Sequence, residues 1–166
     1  MQGRGVILHF FAWSATVLLL DQLSKRLIQR IIMEGESIPL IPGVFHLTLY
    51  KNPGAAFGLF AYKTKLFIVV TIIVMIIIIY FYLQLPPSMG LAKTSLALQF
   101  GGAAGNFIDR ILYGYVVDFI DFRVWPVFNI ADTAIVIGVI LLCWEFFVQQ
   151  EKEGCDERDK NGCMGK

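Results

Sequence analysis

Charged residues are scarce in this chain: Asp, Glu, Lys and Arg make up 16% of its 166 residues, whereas soluble domains contain about 25%. Apolar residues make up 57%, so the composition is that of a membrane protein. The formal net charge of +1 excludes a strongly basic nucleic-acid-binding protein. We therefore expect no nucleic-acid partner.

Cysteine and histidine are also rare. Three cysteines are too few for a disulfide framework, and no histidine lies near Cys155 or Cys163 to complete a metal site. The sequence contains no GxSxG, HExxH or P-loop motif. The two histidines, His9 and His46, lie far apart and near no obvious nucleophile. We expect neither a metal nor a cofactor.

Four hydrophobic segments are predicted to form membrane-spanning helices. They cover about residues 6–28, 66–85, 94–110 and 130–148. The second segment has 20 residues without a charge, roughly 30 Å as a helix. No clean cleavage site follows Leu20, so we interpret the first segment as a retained helix rather than a signal peptide.

Four crossings place both termini on one side of the membrane, but charge does not fix which side. If the termini are cytoplasmic, six basic residues lie inside and eight outside. That distribution slightly opposes the positive-inside rule.

The connection between the first two helices is long enough to fold. Phe45, Leu47 and Leu49 alternate with polar or amphipathic residues in "GVFHLTLY", the period of a half-buried strand. Asn52, Pro53 and Gly54 then predict a turn. We expect a small β element on the membrane surface. The residues at 149–166 are mostly charged, and we predict a disordered tail.

Several polar residues interrupt the apolar segments. Asp21 and Lys25 are four residues apart, the spacing of a structural ion pair on a helix. Gly101 and Gly105 form a small-xxx-small pattern that allows close helix packing. Asn106 and Arg110 share a helix face, with Asp109 beside it. That group is equally compatible with a structural clamp and with a catalytic role.

Three carboxylates lie in the apolar stretch "VVDFIDFRVWPVFNIAD": Asp118, Asp121 and Asp132. Asp132 begins the fourth segment, where an acid favours the positive helix end and can cap it. Two neighbouring carboxylates can share a proton and activate water, as in aspartic peptidases. Spacing alone does not choose among the three. A transporter that uses them as ion ligands and a non-catalytic scaffold that binds lipidated proteins are the alternatives.

Five motifs together suggest a family. "DQLSK", "NPGAAFG", "GGAAGNFIDR", "VVDFID" and "FNIAD", in this order between four hydrophobic segments, closely resemble bacterial lipoprotein signal peptidase (signal peptidase II). The resemblance implies an all-α membrane protein with one peptidase domain over residues 1–148. It implies four transmembrane helices, with an extracytoplasmic β cradle and a surface-lying segment between helices one and two.

The same resemblance implies an activity. Members are aspartic endopeptidases of the bacterial cytoplasmic membrane that remove the signal peptide from diacylglyceryl-modified prolipoproteins, cutting before the lipidated cysteine. Both termini would be cytoplasmic, and the active site would lie near the outer face. We expect a monomer in contact with membrane lipid.

The resemblance also assigns residues. The catalytic pair would be Asp118 and Asp132, and Asp121 is set aside. Asp21 and Lys25 match the structural pair of helix one. The residues that match site-lining or site-supporting positions are Asn52, Gly54, Asn106, Asp109, Arg110 and Asn129.

Overall fold

The computed structural model describes residues 2–54 and 63–163, with side chains described for residues 5–54 and 63–150. This part of the chain forms helices and one antiparallel sheet of three strands. The helices are α1 (Gln2–Ile31), α2 (Thr64–Gln84), α3 (Gly90–Tyr113) and α4 (Ile130–Cys163). The strands are β1 (Ser37–Ile41), β2 (Phe45–Asn52) and β3 (Val116–Asp121).

Three helical segments are long and apolar enough to cross a bilayer: Gly5–Ile31, Thr64–Gln84 and Ile130–Gln150. Helix α3 is not among them, although its 24 residues reach about 36 Å. It contacts each of the other three helices and buries polar residues such as Lys93 and Asn106 between them. Its lower hydropathy therefore reflects a central position in the bundle, where protein rather than lipid surrounds it.

Glycines allow α3 to approach its neighbours closely. A Cβ atom at Gly101 would lie 2.6 Å from the backbone oxygen of Ser14 in α1. A Cβ atom at Gly105 would collide with the carboxylate of Asp21. The predicted small-xxx-small packing is therefore confirmed, and its partner is α1. On the other side of α3, a Cβ atom at Gly102 would overlap the backbone oxygen of Ala131 in α4.

We expect Gly102→Ala to lower the free energy of unfolding by about 1–3 kcal/mol, because α3 and α4 must separate to admit the methyl group. Thermal unfolding in detergent measures the effect. Gly90→Ala is the control, since a Cβ atom there has no neighbour within 4 Å. Equal unfolding temperatures for the two variants would contradict the close approach of α3 and α4.

The sheet joins two distant parts of the chain. Strand β2 lies between β1 and β3 and is antiparallel to both. The strand predicted around residues 43–50 is confirmed as β2, but the sheet is not confined to the first connection. Its third strand, β3, follows α3 and places Asp118 opposite Tyr50. The apolar, β-branched run before and after Asp118 suits a buried strand, although it did not predict one by itself.

An apolar cluster attaches the sheet to the end of α1. Ile28 of α1 and Ile32, just after its end, pack with Leu49 of β2 and with Val117 and Phe119 of β3. Burying these side chains stabilises the contact by roughly 1.5–3 kcal/mol each. The strand that bears Asp118 is thus held against the helix that bears Lys25.

Helix α4 continues to Cys163, so the backbone at 149–163 is helical where we expected disorder. Glu, Lys, Gln and Arg are frequent there, and all are good helix formers.

Some predicted parts of the chain lie outside the described residues. These are residues 55–58 of the "NPGAAFG" motif, the rest of the surface-lying segment to residue 62, and the last three residues of the tail.

Candidate active site

A buried ammonium group ties α1 to α3. The Nζ atom of Lys25 lies 2.8 Å from Asp21 Oδ2, 2.9 Å from Asp109 Oδ2 and 3.0 Å from Asn106 Oδ1. Its side chain is only 2% exposed. An ammonium group has three N–H donors, and here each has an acceptor.

The two carboxylates of this ion cluster also hold the backbone of neighbouring elements. Asp21 Oδ1 accepts a hydrogen bond from the Ala131 N–H at 2.9 Å, in the first turn of α4. Asp109 Oδ2 accepts one from the Val117 N–H at 3.1 Å, in β3. The cluster of Asp21, Lys25 and Asp109 therefore positions the two elements that bear Asp118 and Asp132.

Asn129 connects the two aspartates. Its Oδ1 atom accepts a hydrogen bond from the Asp132 N–H at 2.9 Å, and its own N–H donates to Asp132 Oδ2 at 3.3 Å. This reciprocal pair is a capping box. Asn129 is thus the residue that caps α4, and Asp132 is the third residue of the helix rather than its cap. The Nδ2 group of Asn129, fully buried, also donates to Asp118 Oδ1 at 2.7 Å.

Two more asparagines complete the contacts of the pair. Asn52 Nδ2 donates to Asp118 Oδ2 at 2.9 Å, while its Oδ1 atom accepts the Gly54 N–H at 3.0 Å and so fixes the amide orientation. Asn106 Nδ2 donates to Asp132 Oδ1 at 2.7 Å. Each of the four carboxylate oxygens therefore accepts one hydrogen bond, from three different parts of the chain.

Asp118 and Asp132 line one pocket of about 270 Å³. Of the residues predicted to support the site, Asn52, Gly54, Asn106 and Arg110 also line it, and the remaining lining residues are Val116, Trp125, Pro126, Val127 and Phe128. The Arg110 guanidinium lies 5.0 Å from the centre of the Phe67 ring. Asp109 and Asn129 do not line the pocket: Asp109 accepts a hydrogen bond from Val117, the neighbour of Asp118, and Asn129 donates to Asp118 itself.

The environment of Asp118 favours its neutral form. Burial, together with the charge of Asp132, raises the pKa of Asp118 from 3.8 to about 7, against hydrogen bonds from Asn52 and Asn129 that lower it. A carboxyl group that titrates near neutral pH can hold or release a proton during a reaction. The pocket therefore has the electrostatics of an acid–base site.

Asp121 lies elsewhere. Residues three apart on a strand point to opposite faces, and Asp121 accepts hydrogen bonds from Thr48 Oγ1 at 2.7 Å and from the Arg123 guanidinium at 3.0 Å. Desolvation raises the pKa of Asp121, but these hydrogen bonds lower it below its ordinary value. This carboxylate joins β3 to β2 through Thr48 and does not line the pocket.

Sequence reasoning missed some contributors. Gln22 donates to Asp109 Oδ1 at 2.9 Å and to the Gly105 carbonyl at 3.2 Å. Trp125 and Phe128 form part of the pocket wall; Trp125 lies outside the five motifs, and Phe128 begins "FNIAD" but was given no role. The bridge through Asn129 had a signal in "NIAD", because an asparagine three residues before an acid is the spacing of a capping box.

Known proteins resemble this chain over most of its length. Residues 13–148 match the profile of the family described as Signal peptidase (SPase) II. The lipoprotein signal peptidase of Moorella thermoacetica is 53% identical over 87% of this chain and 97% of its own length. That of Pelotomaculum thermopropionicum is 46% identical over 91% of this chain and 99% of its own.

The fold is shared with solved structures as well. A bacterial membrane enzyme determined by the in meso method at 2.3 Å superposes with a TM-score of 0.81 and 35% identity, covering 86% of this chain and 90% of that one. A family match over most of the chain and relatives of nearly equal length lead to one conclusion. The chain belongs to the signal peptidase II family.

Proposed function

We propose that this protein is an aspartic endopeptidase that removes the signal peptide from diacylglyceryl-modified prolipoproteins, cutting before the lipidated cysteine, with Asp118 and Asp132 as its catalytic pair. One observation carries the proposal: two buried carboxylates of different elements line one pocket and are joined through the Asn129 side chain. Membership of the family supports the peptidase activity and the class of substrate.

The chemistry needs one ionised and one protonated aspartate. The ionised carboxylate removes a proton from a water molecule, whose oxygen then attacks the carbonyl carbon of the scissile bond. The protonated carboxyl group gives its proton to the carbonyl oxygen, which yields a neutral tetrahedral intermediate. The C–N bond then breaks: the leaving nitrogen takes the proton that came from water, and one hydroxyl group of the intermediate returns its proton to the other aspartate as the carbonyl re-forms. Water is the only co-reactant.

A second cavity favours the proposal that the substrate carries a lipid. An apolar groove of about 370 Å³ lies beside the catalytic pocket and shares Asp132, Trp125 and Phe128 with it. Its other lining residues, Thr133, Val136 and Ile137, follow one face of α4. An acyl chain in this groove would extend into the bilayer while its cysteine reached the aspartates.

The pairing of β2 with β3 favours the proposal that the chain crosses the bacterial cytoplasmic membrane four times. Strand β2 precedes α2, β3 follows α3, and the two strands pair. If α2 crosses the bilayer, α3 must cross back to bring β3 to β2. The pocket then lies on the same side as the sheet, which we propose is the outer face, with both termini in the cytoplasm.

Purified protein in detergent tests the proposal directly. We expect it to cleave a prolipoprotein after diacylglyceryl modification and to leave the unmodified precursor intact. Mass spectrometry of the product would locate the new N-terminus at the modified cysteine. A lipidated substrate that stays intact would favour a scaffold, and ion flux through protein-containing liposomes would favour a transporter.

Filling the groove should weaken substrate binding. We expect Val136→Trp to raise KM for the lipidated substrate about tenfold, the effect of about 1.4 kcal/mol of lost binding energy, with a smaller change in kcat. The control is Val139→Trp, also on α4 and 45% exposed, which does not line the groove. Equal KM values for the two variants would exclude the groove as the acyl site.

A further inference from the structure

The side-chain amide of Asn106 lies between Lys25 and Asp132: its oxygen accepts hydrogen bonds on one side, and its nitrogen donates on the other. Its Oδ1 atom accepts from Lys25 Nζ at 3.0 Å and from Asn129 Nδ2 at 3.1 Å. Because an ammonium group only donates, the amide oxygen must face Lys25. The Nδ2 group is thereby directed to Asp132 Oδ1, 2.7 Å away. A positive charge at one end polarises such a chain and strengthens the donor at the other.

The remaining charges around Asp132 come from three elements. As the third residue of α4, Asp132 sits at the positive end of the helix dipole. Lys25 from α1 and Arg110 from α3 are the cations that act on it, and Asp118 from β3 is the carboxyl group whose ionisation would oppose that of Asp132. Asp21 and Asp109 are also near, but their oxygens are occupied by Lys25 and by backbone or amide N–H groups.

Asp118 has a different set of partners. Its side-chain oxygens accept hydrogen bonds from the neutral amides of Asn129 and Asn52. A protonated carboxyl group keeps both bonds, since its hydroxyl oxygen can accept one hydrogen bond while it donates another. Burial and the charge of Asp132 favour this protonated form.

We propose that Lys25 is a positioning residue that acts through Asn106 to keep Asp132 ionised and so leaves the shared proton on Asp118. The inference rests on the proposed function and assigns the two roles within it. Asp132 takes the proton from water, and Asp118 gives its proton to the substrate carbonyl oxygen. Lys25 touches neither substrate nor the reacting atoms.

We call the hydrogen bonds from Lys25 through Asn106 to Asp132 the relay, and two variants interrupt it at different points. The double variant Asp21→Asn/Lys25→Met removes the ammonium group while the net charge of the ion cluster stays at −1, that of Asp109. Asn106→Leu keeps the charges of the ion cluster and removes the donor to Asp132, together with the amide oxygen that accepts from Lys25 and Asn129, with little change in volume. Glu34→Gln/Lys51→Met is the control, because it removes an exposed ion pair that does not line the pocket.

The readout is the pH dependence of kcat for the lipidated prolipoprotein. We expect a bell-shaped profile for the wild type, whose acidic limb reports formation of the singly ionised pair. Each relay variant should move that limb by about one pH unit to higher pH, with the alkaline limb little changed. The combined variant, which carries Asp21→Asn, Lys25→Met and Asn106→Leu, should move the acidic limb no further, since both changes break the same series of hydrogen bonds. The control should keep both limbs.

The outcomes separate the possibilities. A wild type that cleaves nothing defeats the proposed function, and this inference with it. A wild type that cleaves, with variants that lose rate by one factor at every pH, overturns the inference alone and leaves Lys25 a structural residue. Additive shifts in the combined variant overturn the path through Asn106. Should the double variant not fold, Asn106→Leu decides, and an acidic limb at the wild-type position overturns the relay.

Discussion

Replacing Asp118 or Asp132 with asparagine should abolish cleavage of a lipidated prolipoprotein, with kcat falling about 10³-fold or more. Asparagine has nearly the shape of aspartate and can keep the hydrogen bonds to Asn129 and Asn106 in part. It cannot take a proton from water or give one to a carbonyl oxygen. Initial rates for the purified variants in detergent, with the folded fraction checked by thermal unfolding, measure the effect.

Asp121→Asn is the matched control for this experiment. It lies three residues from Asp118 on the same strand, but its partners are Thr48 and Arg123 on the other face of the sheet. We expect Asp121→Asn to keep most of the activity. A wild-type rate in Asp118→Asn or Asp132→Asn would exclude the aspartate pair, whereas an equal loss in all three variants would indicate damage to the sheet.

The second large effect concerns stability. Lys25→Met should lower the free energy of unfolding by about 3–5 kcal/mol, because it leaves two buried carboxylates, Asp21 and Asp109, without their cation. Adding Asp21→Asn should restore part of the loss, since one of the unpaired charges is then gone. The midpoint of thermal unfolding in detergent compares the single and double variants with the wild type.

Lys51→Met provides the comparison for a solvent-exposed pair. Lys51 lies 2.7 Å from Glu34, but the two side chains are 34% and 57% exposed. Such pairs contribute little to stability because water solvates both charges, so we expect no measurable change in the unfolding temperature. If Lys25→Met were equally harmless, the buried ion cluster would not be what holds α1, α3, β3 and α4 together.

The sequence predicted the apolar elements best. The segment at 66–85 corresponds closely to α2, Thr64–Gln84, because an uninterrupted apolar run has few alternatives to a helix in a bilayer. The prediction for the third helix, 94–110, was short at both ends of Gly90–Tyr113. Packing rather than hydropathy determines that helix, and packing partners are not visible in one sequence. The same limit hid β3 within an apolar run.

The residues of the candidate site could be named from the sequence, but their geometry could not. Family motifs distinguished Asp118 and Asp132 from Asp121, which spacing had left open. The four-residue spacing of Asp21 and Lys25 indicated their ion pair, yet nothing in it revealed that Lys25 also reaches Asp109 and Asn106 on another helix. Contacts between side chains of different helices depend on how the bundle packs, and local patterns do not encode that.

The pairing of β2 with β3 has a consequence for biosynthesis. Asn52 leaves the ribosome long before Asp118, and α4, with Asp132 near its start, follows the other three helices of the described residues. Until α4 has inserted, Asp21 lacks its backbone partner at Ala131 and Asn129 has no helix to cap. A nascent chain therefore has no assembled aspartate pair until the start of α4 has been made and has packed against α1 and α3.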